Sequence, residues 1–179
     1  METLILASSS PRRRSLLHKI TDAFSIKDPI CEEITDGDPQ TVAETNAVLK
    51  GRAVDGDFVL ACDTVVAMDG RIFGKPQDES HAVEMLSALN GKTHLVISGV
   101  YVRFHGQETV FSDKTEVTFK NLTEEEISSY VHDYRPLDKA GAYGIQDGIT
   151  VDRYEGSLDN VIGLPTERLR EVLKPYVNI

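Results

Sequence analysis

Short apolar runs separated by polar turns mark out the elements from the start of the chain. Leu4-Ile5-Leu6-Ala7 predicts a buried strand over residues 3–8. Ser10 followed by Pro11 is a helix start: a hydroxyl N-cap, then proline where its missing N–H costs nothing. Leu16, Leu17 and Ile20 give that helix its apolar face. Asp38-Pro39 opens a second helix in the same way, and Ala43, Ala47, Lys50 and Val54 share one of its faces. A lysine therefore stands where an apolar residue is expected.

The valine-rich run Phe58–Met68 predicts a core strand with Asp63 in its middle, closed by the hairpin signal Asp69-Gly70 and answered by Arg71-Ile72-Phe73. Asp78 caps a third helix through about Leu89, which Asn90-Gly91 stops. Two long strands follow over about 94–104 and 107–120, joined at His105-Gly106. Thr123 with Glu126 forms a capping box for a helix to about His132. The glycine-rich stretch 140–148 reads as loop, 149–154 as a strand and 165–174 as a last helix. Helices and strands alternate early while the hairpins imply antiparallel pairs, which predicts a mixed-sheet α/β fold. There is no linker, repeat or low-complexity tract, so residues 1–179 are expected to form a single domain.

Composition narrows the partners. With 40% hydrophobic and 27% charged residues, the 179-residue chain can bury a real core. No run approaches the roughly 20 apolar residues of a membrane span, and the first residues lack a signal-peptide pattern. Cys31 and Cys62 lie among apolar residues at no zinc or redox spacing, and both are expected to be buried thiols in a reducing, cytoplasmic compartment. A net charge of −10 argues against nucleic acid, whose affinity comes mostly from Lys and Arg on phosphates. Arg12, Arg13 and Arg14 nevertheless concentrate positive charge in one place, which suits a small anion.

Three regions could carry chemistry. In Ser8-Ser9-Ser10-Pro11-Arg12-Arg13, a strand feeding a helix N-terminus adds hydroxyls and guanidinium groups to unpaired backbone N–H groups and makes an oxyanion cradle. An ordinary capped helix with a solvated basic face explains these residues equally well. Asp63 within Ala61-Cys62-Asp63-Thr64-Val65-Val66 is disfavoured in a strand and needs a cation, a donor or a metal, a structural arginine being the alternative. Glu32-Glu33 could complete a hard-cation site with it, or simply be surface acids, and Lys50 and Lys75 are candidate counter-charges or rim residues. In the glycine-rich stretch, Gln146 offers one donor and one acceptor with which to read a base edge. The five histidines show no HxxH or HExxH spacing, and no Gly-x-Ser-x-Gly elbow occurs.

Taken in order, the serine-arginine segment, Glu33, Lys50, Ala61-Cys62-Asp63-Thr64-Val65-Val66, Gly74-Lys75-Pro76, Asp138-Lys139-Ala140-Gly141-Ala142-Tyr143-Gly144-Ile145-Gln146 and Gly163-Leu164-Pro165 resemble the Maf family of nucleotide pyrophosphatases almost end to end. The resemblance implies an elongated α/β fold related to the inosine-triphosphate pyrophosphatases, with two lobes around a cleft. It also implies a divalent cation, Mg²⁺ or Mn²⁺, hydrolysis at the α–β phosphate link and a homodimer. Carried over, Asp63 is the proton acceptor and a metal contact with Glu33, while Ser8, Ser10, Arg13, Lys50 and Lys75 line the phosphates. Arg12, Thr64 and Gln146 match the members that prefer dTTP and UTP, rather than the sister group acting on 7-methyl-GTP. Two departures stand out: Gly51 after Lys50, where the family usually has alanine, and Asp147-Gly148 after Gln146. A nucleotide-sensing regulator of cell division that does not hydrolyse its ligand is the alternative of another class.

Overall fold

In a computed structural model describing residues 2–178, the chain forms a seven-stranded mixed sheet flanked by helices. In chain order the elements are β1 (Leu4–Ala7), α1 (Pro11–Leu17), β2 (Phe24–Lys27), α2 (Pro39–Arg52), β3 (Phe58–Met68), β4 (Arg71–Phe73), α3 (Glu79–Leu89), β5 (Thr93–Phe104), β6 (Gln107–Phe119), α4 (Glu124–Tyr134), β7 (Val151–Glu155), α5 (Leu158–Ile162) and α6 (Thr166–Leu173). The main sheet runs β2-β1-β3-β5-β6-β7, with β4 paired to β3 beside it. β1 is parallel to β2 and β3, and the remaining pairs are antiparallel. No helix among the described residues is long and apolar enough to cross a membrane.

The local signals place most of these elements. Ser10, Asp38, Asp78 and Thr123 each accept a hydrogen bond from the backbone N–H three residues on, and Glu126 closes the capping box at Thr123. Two elements are additions to the expected set, the edge strand β2 and the single-turn helix α5. The stretch 140–148, expected as loop, contains two short 3-10 turns, Ala140–Ala142 and Ile145–Asp147. The cysteine expectation needs correction: Cys62 is fully buried, but Cys31 is only half-buried, in an irregular segment between β2 and α2 that has little apolar packing to bury it.

The core divides along the three long strands. Phe58, Leu60 and Cys62 at one end of β3 pack with Val100, Val102 and Phe111, under α1 and α6. At the other end Val66 packs with Val96, Val117 and Phe119, under α3 and α4. The opposite face of β3 carries Val59, Ala61 and Val65 against α2, as the two-residue alternation of a strand requires.

Two glycines decide how closely α2 lies on the sheet. Gly99 is the ladder partner of Asp63, and a Cβ added to it would sit 2.4 Å from the Ala43 carbonyl carbon. The space a Cβ on Gly51 would need is filled by the Tyr101 ring, at 2.1 Å. The departure at residue 51 thus has a packing reason: the buried Tyr101 takes the volume an alanine methyl would occupy. Both contacts press α2 down over the middle of β3, where Asp63 lies.

Candidate active site

The central strand has a free edge halfway along it. β1 pairs with β3 only at Val59 and Leu60, and β4 pairs only from Val66 to Met68. Residues 61–65 therefore have a ladder partner on one side alone, in β5. Around this edge opens a cleft of about 550 Å³, within the roughly 300–1,000 Å³ typical of small-molecule sites. Asp63 and Thr64, adjacent in sequence and on opposite faces of the strand, both line it.

Asp63 is held from α2. Lys50 Nζ donates to Asp63 Oδ1 at 2.8 Å and also meets Glu33 Oε1 at 2.6 Å. Asn46 Nδ2 donates to Asp63 Oδ2 at 3.2 Å. Lys50 and Asp63 are each 14% exposed and Glu33 is 46% exposed, so the ammonium joins a sheltered carboxylate to one at the rim. The off-pattern lysine on the apolar face of α2 thus finds its reason in the aspartate of β3.

Thr64 faces α1. Arg13 donates through Nε to the Gly163 carbonyl at 2.8 Å and through Nη2 to Thr64 Oγ1 at 3.1 Å. Thr64 Oγ1 shares a further hydrogen bond with Ser98 Oγ at 2.9 Å. The guanidinium is thereby fixed at the cleft wall, and the hydroxyl at 64 acts first as its support. Arg12 bonds Asp138 Oδ2 at 3.0 Å, and Lys139 meets the other oxygen at 3.1 Å. Burial pushes the Asp138 carboxyl up, but the hydrogen bonds from Arg12 and Lys139 prevail and hold it below its ordinary value. Exposed pairs of this kind contribute little, so an anionic ligand can compete for Arg12.

Five basic side chains line the cleft, Arg12, Arg13, Lys50, Lys75 and Lys139, in a chain of net charge −10. Lys75 has no ion-pair partner among the described residues. It follows Gly74, whose carbonyl accepts the Gly141 N–H at 3.1 Å and so ties the exit of β4 to the 140–142 turn. Gln146, exposed and without a hydrogen-bond partner among the described residues, presents a free amide to the same cleft. Its loop is pinned by Tyr130, whose hydroxyl donates to Asp147 Oδ2 at 2.7 Å and accepts the Gly144 N–H at 3.0 Å. The departure at Asp147 therefore has a structural use: its carboxylate closes the loop that carries Gln146.

Nine of the ten expected site residues accordingly border one cleft: Ser10, Arg12, Arg13, Glu33, Lys50, Asp63, Thr64, Lys75 and Gln146. Ser8 lies beneath it, buried, with its hydroxyl accepting the Ser10 N–H at 3.1 Å. It shapes the turn that presents Ser10. Asn46, Ser98, Asp138 and Lys139 join the site without having been expected there. Asn46 carried a usable signal, since it stands one helical turn before Lys50 and so on the same face.

Under the cleft wall, His94 is buried and pairs through Nε2 with the Tyr143 hydroxyl at 2.7 Å, while its Nδ1 has no partner among the described residues. Burial lowers its pKa from 6.5 to about 4 and raises that of Tyr143. Because the folded pKa lies below the unfolded one, the unfolded chain binds more protons between these values, and stability falls as pH falls from 6.5 to 4. The shift corresponds to about 3 kcal/mol. Urea unfolding of wild type and His94→Gln at pH 7 and pH 4 is expected to show the wild type losing about this much relative to the variant. Parallel pH dependences would contradict the assignment.

Fold and cleft together define an α/β protein with a cleft, on the free edge of its central strand, that sets an anchored arginine and further cations beside a carboxylate pair. The chain belongs to the Maf family: the family model described as "Maf-like protein" matches residues 3–176. It is 45% identical over 174 residues to the dTTP/UTP pyrophosphatase of Thermosipho africanus, covering 95% of this chain and 91% of that protein. It is 42% identical over 177 residues to the dTTP/UTP pyrophosphatase of Thermococcus gammatolerans, covering 94% and 96%. A third such protein, from Bacillus cereus, is 42% identical over 184 residues, covering 98% and 96%. In fold the chain is similar to a HAM1 protein from Coxiella burnetii, with a TM-score of 0.54 at 15% identity over 98% of this chain and all of that one.

Proposed function

We propose that the chain is a metal-dependent nucleoside triphosphate pyrophosphatase, releasing pyrophosphate and the monophosphate preferentially from dTTP and UTP. The observation that carries the reading is the Asp63 carboxylate, oriented by Lys50 and Asn46 and facing a cleft lined by Arg12, Arg13 and Lys75. A binding module needs the cations alone, whereas a carboxylate at the cleft floor repels a polyanion unless it has work to do. The relatives named dTTP/UTP pyrophosphatase, matched over nearly their whole length, support the same activity and base preference.

The donor set suits a hard cation. Asp63 and Glu33 converge on one point, the Lys50 ammonium, and magnesium takes one or two protein carboxylates and fills its shell with water and substrate phosphate. Glu33 and Asp63 would hold Mg²⁺ or Mn²⁺, which when bound would neutralise triphosphate charge. Asp63, with both oxygens already oriented, accepts the proton of a water attacking the α-phosphorus in line with the departing pyrophosphate. Arg13 keeps its position through Gly163 and Thr64, and with Lys75, Lys50 and the Ser10 turn it meets the phosphate oxygens. This fixed charge supplies most of the rate gain, since nothing need reorganise as charge moves to the leaving group. Arg12 and Gln146 flank the base, with Thr64 setting the distance through Arg13.

The enzyme so described is cytoplasmic, spans residues 1–179 as one domain and works as a homodimer on free nucleotides, not on nucleic acid. Pyrophosphate release measured across dTTP, UTP, CTP, dATP, GTP and 7-methyl-GTP, with Mg²⁺, Mn²⁺ or chelator, tests it. Release should be fastest from dTTP and UTP and should vanish with chelator; no release from any nucleotide would overturn the enzyme reading.

A further inference from the structure

The segment that carries Glu33 has little of its own to hold it. Residues 28–38, between β2 and α2, form no helix or strand. Ile30 is 92% exposed and Ile34 39% exposed, so apolar burial does not fix the segment. Yet Glu33 Oε1 stands 2.6 Å from Lys50 Nζ, in register with Asp63.

One side chain accounts for that register. Asn46, on α2 and only 4% exposed, accepts the Ile34 N–H through Oδ1 at 2.8 Å and donates through Nδ2 to the Ile34 carbonyl at 2.9 Å. The second N–H of the same amide reaches Asp63 Oδ2 at 3.2 Å. A carboxamide has two donors and one acceptor oxygen, and all three functions are engaged. The amide cannot be turned over, because its NH₂ would then face the Ile34 N–H. Aspartate would lack both donors and set a third carboxylate beside Asp63 and Glu33, leucine would make no hydrogen bond, and serine would fall short of one partner.

We propose that Asn46 is a positioning residue for the hydrolysis: one buried amide that clamps the backbone at Ile34 and the carboxylate of Asp63 together, and so sets Glu33 and Asp63 at a common point. The assignment rests on the reading of Asp63 and Glu33 given above. Asn46 acts on no reacting atom; it acts through the two carboxylates. With the clamp open, Glu33 drifts with its segment while Asp63 keeps its bond to Lys50, so loss should fall on turnover and on cation binding more than on nucleotide affinity.

The test compares wild type with Asn46→Leu and Asn46→Ser at a temperature where each is folded. Removing a partner that orients metal-holding side chains typically costs about 10–100-fold. Steady-state kinetics with dTTP should show kcat down by about that factor with KM little changed, and calorimetry without nucleotide should show Mn²⁺ affinity down by about the same factor. Amide hydrogen exchange should quicken at residues 31–36 and stay unchanged in β3. Wild-type kcat in both variants, or lost kcat with unaltered exchange at 31–36, would overturn the proposal. An inactive wild-type enzyme would instead overturn the functional reading, while the exchange and Mn²⁺ measurements would still decide whether the clamp exists.

Discussion

Asp63→Asn is expected to lower kcat for dTTP by about 10²–10⁴-fold, the range in which a positioned general base contributes. The substitution keeps size and shape but removes the proton acceptor. It also sets donor against donor, because Oδ1 accepts from Lys50 and Oδ2 from Asn46, so the new NH₂ must face one of them whichever way the amide lies. KM should change much less than kcat, since in the proposed arrangement Arg13, Lys75 and the Ser10 turn meet the phosphates without Asp63. Steady-state kinetics at saturating metal checks this, and turnover of wild-type magnitude in the variant would remove Asp63 from the mechanism.

Lys50→Met should lower kcat/KM for dTTP by about 10²–10³-fold, the cost of losing one preorganised charge from such a site. Methionine fills nearly the same volume, so the packing of α2 over Gly99 and Tyr101 should survive. What disappears is the ammonium between Glu33 and Asp63, leaving two carboxylates near one another beside the incoming triphosphate. Lys50→Arg should not restore the rate, because a planar fork cannot replace a point charge held between two oxygens at 2.6 and 2.8 Å. A Mg²⁺ titration of both variants separates the two contributions: excess cation should recover part of the loss in Lys50→Met if the missing charge is the cause. Wild-type kcat/KM in Lys50→Met would contradict the placement of Lys50 on the phosphate path.

What was legible in the sequence was mostly local chemistry. Ser10-Pro11, Asp38-Pro39, Asp78 and the Thr123–Glu126 box announce helices because caps act within one turn, and Asp69-Gly70 and His105-Gly106 announce hairpins for the same reason. The strand β2 escaped notice because its order comes from a parallel ladder to β1, a partner distant in sequence, and its own side chains are mostly exposed. The helix α5 is a five-residue element too short to show a period.

The site divides along the same line. Lys50 and Asp63 were visible as residues that break their local patterns, one an apolar helix face and the other an apolar strand. Their pairing explains both violations at once. The gap between β1 and β4 that frees the edge of β3 is a matter of register, fixed only when the whole sheet assembles. Asn46 shares the helix face of Lys50, but that placement alone names no partner for its amide. Its meaning depends on the backbone of Ile34, in a segment whose course no local rule predicts.

Hydrolysis of dTTP in ¹⁸O-labelled water with Mg²⁺ tests most directly where the chain cuts its substrate. Attack on the α-phosphorus by a water that Asp63 deprotonates places the label in dTMP and leaves pyrophosphate unlabelled, with no dTDP formed. Label in pyrophosphate, or dTDP and inorganic phosphate as products, would contradict it.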